Sequence, residues 1–220
     1  MRTSLAICLL SVIPCTLTAC GGDETSVNST ASSGGETSSS SGSGSSSSGN
    51  VLMPSPGDDK IVINEMNAIG TNEWVEIVNT YDKAVNLEGY AIADSVTMVG
   101  GPDVPNALRF PAGASIEPGG YLLAVRNLAA EVPPVKHTGT QCLPNAPADA
   151  VCYYMTWEIG NLTGETIYFL AQDDKTLTSA DYPANAVDAM AGYKSWARSP
   201  DKTGAFAATM TDTPGAANKP

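Results

Sequence analysis

Residues 72–79 read Asn72-Glu73-Trp74-Val75-Glu76-Ile77-Val78-Asn79. A short run rich in Trp, Val and Ile, closed at both ends by asparagine, has the make-up of a β-strand whose side chains alternate between two faces. Working outward, similar runs recur at Lys60–Met66, Val85–Ala93, Ala107–Phe110, Tyr121–Arg126, Tyr153–Glu158, Glu165–Ala171 and Val187–Ser195. Gly, Pro, Asn and Asp separate them, and helical periodicity is hardly present. Asn161–Gly164 and Asp173-Asp174 read as hairpin turns, and Glu117-Pro118-Gly119-Gly120 as a turn with a glycine at positive φ. About eight strands at this spacing predict an all-β sandwich or barrel.

These segments also carry a resemblance in their order. Ile63-Asn64-Glu65, the 72–79 run and Val85-Asn86-Leu87-Glu88-Gly89-Tyr90-Ala91-Ile92-Ala93-Asp94 resemble the opening strands of the lamin tail domain, the immunoglobulin-like module of nuclear lamins and many bacterial exported proteins. Leu108-Arg109-Phe110-Pro111 with Ile116–Leu122 resembles its central hairpin, and Gly164–Leu170 its late strand. Ser195–Asp201 with Thr213–Asn218 resembles the closing segment of bacterial members. The resemblance implies an immunoglobulin-like β-sandwich over residues 58–220, and interaction more than catalysis. The departure from it is an insert at 127–150.

The amino terminus reads as an address. Arg2 precedes an apolar stretch, Leu5–Leu17, too short and too interrupted by Pro14 to span a bilayer. Leu17-Thr18-Ala19-Cys20 is similar to the cleavage site of bacterial lipoproteins, so residues 1–19 are expected to be removed and Cys20 to carry lipid. Two or more acyl chains would give stable anchoring to a membrane. Gly21, not aspartate, follows the cysteine, which favours an outer membrane where the cell has one. Residues 20–57 contain Ser38–Ser41 and Ser43–Ser48, broken by glycine, with little to bury; they read as a disordered tether. Its root-mean-square span would be roughly 35 Å and its full reach about 130 Å.

Of the five cysteines, Cys8 and Cys15 fall in the removed segment and Cys20 is the lipid site. Cys142 and Cys152 remain, and in an exported chain they read as a disulfide worth roughly 2–3 kcal/mol. The bridge would pin the long 127–151 loop, which is expected to cover a sheet edge.

The chain carries 11 basic against 23 acidic residues. Three of the acids and one base precede residue 51, leaving 10 against 20 in the domain. Such a field disfavours nucleic acid and anionic bilayer surfaces as partners. Catalytic machinery is sparse. His137 is the single histidine, which excludes a multi-histidine zinc site, and with no G-x-S-x-G elbow it reads as a solvated loop residue. Asp58-Asp59 and Asp173-Asp174 lack calcium-loop spacing, and Gly100-Gly101-Pro102 lacks the setting of a phosphate cradle. No metal or cofactor is expected. Glu76 shares a strand face with Trp74 and Val78, so its carboxylate needs a partner; Arg198 is the candidate, giving a structural ion pair. Tyr153 and Trp157 could contact a glycan, with Tyr154 on the opposite face. The reading is a lipid-anchored envelope or surface lipoprotein presenting a non-catalytic module to an unknown envelope protein or glycan, with glycan-binding accessory protein as the alternative and a hydrolase less favoured.

Overall fold

The computed structural model describes residues 60–96 and 100–219. The expected signal at 1–19, Cys20, the 20–57 tether and Asp58-Asp59 lie outside them. The strands are β1 (Ile61–Asn67), β2 (Trp74–Asn79), β3 (Val85–Asn86), β4 (Ala91–Ala93), β5 (Leu108–Arg109), β6 (Ser115–Ile116), β7 (Tyr121–Arg126), β8 (His137–Thr138), β9 (Val151–Met155), β10 (Glu165–Leu170), β11 (Thr176–Tyr182), β12 (Ser195–Ser199) and β13 (Ala205–Thr209). Seven form one sheet in the order β13-β12-β1-β2-β7-β9-β8, four a second as β11-β10-β4-β5, and β3-β6 make a small ribbon. Ile63, Ile77, Leu122, Phe169 and Tyr182 belong to the core between the larger sheets, an immunoglobulin-like sandwich. Fully burying one such side chain contributes about 1.5–3 kcal/mol.

Among the described residues only β7 and β9 pair in parallel. Parallel neighbours require a crossover that returns the chain to the starting end, and the 127–150 insert is that crossover. It supplies β8 to the edge of β9, and its Cys142 and Leu143 also roof the outer face of the sheet, packing with Trp74, Leu123 and Val125. The loop expected to cover an edge therefore covers a face as well. That roof explains why β2 is buried along its whole length.

β1 contains the irregularity that builds the polar centre. Ile63 pairs with Ile77 but Glu65 with Glu76, so Asn64 is the extra residue of a β-bulge. The inward phase passes from Ile61 and Ile63 to Met66, and Glu65, which strict alternation would send into the core, is turned away.

Several strand expectations need correction. Val85–Ala93 is broken by a turn in which Tyr90 N donates to Leu87 O, with Gly89 at φ 77°. The run at 187–194 holds a single 3-10 turn, Ala189–Ala191, and no strand: the Asp188 side chain accepts from the Met190 and Ala191 amides, and Gly192 is left-handed, so the strand begins only at Ser195. The Tyr153–Glu158 run is shifted to Val151–Met155. β11 and β13 are additions. The expected glycine turn is present, with Gly119 at φ 68°.

The pairings give the domain two poles. The chain enters at Lys60, beside the connections at 80–84, 110–120, 171–175 and 200–204. The far pole carries the loops 68–73, 94–107, 156–164 and 183–194 and the start of the insert.

Candidate functional site

The densest polar constellation lies on the outer face of the seven-stranded sheet, where β1 and β2 meet the closing segment. Asn64 is its hub. Its Nδ2 donates to Glu76 Oε1 at 2.8 Å and to Asp201 Oδ1 at 3.0 Å. Its Oδ1 accepts the Lys202 amide at 2.9 Å, and its carbonyl accepts Asn218 Nδ2 at 3.2 Å. The bulge places this side chain there, since it releases Asn64 from the regular ladder.

Glu76 and Glu65 are fully buried. Glu76 Oε2 accepts the Gly215 amide at 2.7 Å. Glu65 accepts from the Ser195 hydroxyl, and from Thr213 through its amide at 3.2 Å and its hydroxyl at 2.7 Å. Burial pushes the Glu76 carboxyl well above its ordinary range, with Asn64 and Gly215 pulling back and Glu65 and Asp201 adding to the rise. Glu65 is raised by burial too, against its bonds to Ser195 and Thr213. Asp201 also accepts the Tyr121 hydroxyl at 2.7 Å and the Asn218 amide at 3.0 Å. Burial first, then Asp201, raises that phenol, so it stays a donor. The arrangement offers these carboxylates partners from the protein itself and works as a clasp holding residues 201–218 to the sheet. Hydrogen bonds to charged groups are worth about 1.5–3 kcal/mol each.

The expected Glu76–Arg198 ion pair is not formed. Arg198 Nε donates to Ile63 O at 2.7 Å and its NH1 to Gly204 O at 2.9 Å, and its guanidinium lies 4.6 Å from the Phe206 ring centroid. Strand β12 places Arg198 in reach of main-chain carbonyls, while the bulge hands Glu76 a neutral amide. Nothing in the sequence analysis singles out Glu65 and Asn64 as site residues. The signal was there: the apolar phase slips between Ile63 and Met66, as a bulge requires.

The insert forms a second cluster. Cys142 and Cys152 are joined in a disulfide with Cα atoms 5.6 Å apart. His137 is no solvated loop residue: it sits in β8, stacks on Tyr154 at 4.1 Å between ring centroids, and approaches Glu131 at 3.5 Å. The glycan contact expected of Tyr153 and Trp157 does not fit their positions. Tyr153 is 2% exposed and meets Phe110 edge-on; Trp157 is 8% exposed and joins the same core. Inward phase on β9 hides the first ring, and neither offers a face to a sugar.

Remaining acidic groups serve turns or the far pole. Asp174 pairs with Arg109, and Asp173 accepts the Lys175 amide. Gly100-Gly101 closes a turn in which Val96 N donates to Gly101 O. Asp94 is pushed up to about 6 by burial and by Asp103, and Glu165 to about 7 by burial, then Asp94, Glu73 and Glu158. Among the described residues no group of three or more His, Cys, Asp and Glu is arranged to hold a metal, and no helix is long and apolar enough to cross a membrane.

A family model described as Lamin Tail Domain matches residues 54–184, more than half of the chain. The match contains Asn64, Glu65, Glu76 and the insert, and stops before β12, β13 and the closing segment. No curated protein matches the chain.

Proposed function

The chain belongs to the lamin tail domain family, and from that premise we propose that it is an interaction module held at a membrane of the cell envelope through lipid on Cys20. The observation that carries the module reading is the use of Asn64, Glu65, Glu76 and Asp201: this buried polar cluster is consumed in fastening the domain's own closing segment. Exposed loops and sheet edges are left to meet a partner. Fold alone does not settle function, so the support comes from where the polar groups are spent. The glycan alternative loses the two rings that favoured it. Anchorage rests on the Leu17-Thr18-Ala19-Cys20 sequence and on the serine-rich stretch that follows.

Mass spectrometry of the mature chain from a membrane fraction tests the anchor. A first residue of Cys20 bearing diacylglycerol is expected; an unacylated start elsewhere overturns it. Affinity capture from envelope extracts on the domain tests the module. A protein partner supports it, retention by purified envelope polysaccharide favours the accessory-protein alternative, and no retention of either kind overturns both.

A further inference from the structure

The domain's exposed apolar groups and its excess charge collect at the same end. Leu128 (77% exposed), Leu162 (77%), Met190 (98%) and Met210 (67%) all stand on loops of the far pole, and Val132 and Val135 follow along the insert. Among the described residues, no exposed large hydrophobic lies at the pole where the chain enters. Single exposed apolar residues are ordinary, but a group on adjoining loops marks a contact surface. Met190 and Leu128 each edge a cleft. One of about 400 Å³ is lined by Ile69, Asn161, Val187 and Met190, and one of about 420 Å³ by Thr71, Asn72, Arg126 and Leu128. The β1–β2 loop is the wall the clefts share.

Around this rim stand Asp94, Asp103, Glu158, Glu165, Asp181 and Asp188. The basic residues there are Arg126 and Lys194, and Arg126 is bound to Glu158 at 3.0 Å. At the entrance pole Lys60, Lys83, Arg109, Lys136, Lys175 and Lys202 stand among Asp82, Glu88, Glu117, Asp149, Asp173, Asp174 and Asp201, so the charges there nearly balance. The excess of acid is therefore uneven. Glu165 is pushed up to about 7 chiefly by its own burial, and the neighbouring Asp94, Glu73 and Glu158 charges add to the rise.

We propose that the far pole is a docking surface for a cationic protein segment carrying apolar side chains. The apolar loop residues would supply buried area, and the carboxylates would steer and select the partner's positive charge. A second copy of this chain would bring like charge to the same face and is disfavoured; a nucleic acid is disfavoured for the same reason. The inference deepens the interaction-module reading and rests on it, but it does not depend on the lipid anchor.

The test uses the full chain carrying Cys20→Ser, titrated calorimetrically with a synthetic lysine–leucine amphipathic peptide and with its glutamate–leucine counterpart. Saturable binding of the lysine peptide alone, weakening with salt, is expected. Leu162→Ser with Met190→Ser should weaken it about tenfold or more. Glu158→Gln with Asp181→Asn should weaken it and flatten the salt dependence, whereas Asp82→Asn with Glu88→Gln, the same charge change at the other pole, should leave affinity within about twofold. No saturable binding, equal binding of the glutamate peptide, indifference to the apolar pair, or equal loss from the entrance-pole pair each overturns the proposal. A failed anchor would appear in the mass of the mature terminus and leave this titration unchanged. Failure here, with a protein of other chemistry captured from the envelope, removes the partner chemistry and keeps the module.

Discussion

The Glu76 carboxylate accepts the Gly215 amide at 2.7 Å across 139 residues of sequence. Gly215 has φ 78°, and a Cβ there would stand 2.8 Å from the Ala150 Cβ. Gly215→Ala should therefore cost about 2–3 kcal/mol, combining the left-handed penalty with the clash. Ala150→Gly in the same chain removes the clash and should restore roughly half of the loss. Urea denaturation of the single and double variants measures both; a harmless Gly215→Ala would show that the segment does not need this conformation.

Thr213 tests the other carboxylate. Thr213→Val keeps the shape and removes the hydroxyl that donates to Glu65 Oε2 at 2.7 Å. Leaving a buried carboxylate short of a donor should cost about 1–3 kcal/mol. Thr213→Ser retains the hydroxyl and should cost less, and equal losses from the two would remove the bond from the account.

Arg198 and Glu76 hold different partners. Arg198→Met and Glu76→Gln should each destabilise the fold, and their effects should add within about 0.5 kcal/mol. A larger coupling in the double-mutant cycle would restore the ion pair that the geometry denies.

Stability should fall as pH rises across the weakly acidic range. Asp94, pushed up to about 6, and Glu165, up to about 7, hold their protons more tightly folded than unfolded. The stability they lend is complete below the ordinary carboxylate range and is lost as pH passes through 6 and then 7. Both groups are partly exposed, so screening limits each contribution to about 1 kcal/mol. Thermal unfolding between pH 4 and 8 should show the decline, and Asp94→Asn with Glu165→Gln should make it shallower, leaving the part that buried Glu65 and Glu76 contribute with the same sign. An unchanged slope in the double variant would assign it elsewhere.

Reduction of Cys142–Cys152 should loosen the insert before the sheet. β8 is paired with β9 through two residues only, whereas β2 is buried between β1 and β7. The bridge is worth about 2–3 kcal/mol. Limited proteolysis with reductant should cut first within 127–150 and leave β1, β2 and β7 protected; cleavage of β1 or β2 at the same rate would mean that the insert and sheet open together.

The strands with large apolar side chains were legible directly. β1, β2, β7 and β10 lie within a residue or so of their expected bounds, because Ile, Val, Leu, Phe and Trp at strand spacing leave few other ways to bury them. β11 and β13 escaped because they are edges: Thr176-Leu177-Thr178-Ser179 and Ala205-Phe206-Ala207-Ala208 are polar or small, and an edge strand draws its pairing from a neighbour more than from its own pattern. The 187–194 run looks like a strand because Ala, Met and Val are apolar, while the Asp188 cap and left-handed Gly192 fold it into a 3-10 turn.

Composition and order by themselves determined the all-β class and the family's lamin-tail pattern, and left Cys142 and Cys152 as the pair of cysteines in the domain, which the structure joins. The partner of Glu76 was decided by the tertiary structure. A carboxylate between Trp74 and Val78 must be satisfied, but whether by Arg198 or by Asn64 and Gly215 depends on the one-residue bulge in β1 and on where the chain returns after β13. Those are long-range coordinates, set by how the sheet packs beneath the closing segment, and no local spacing encodes them.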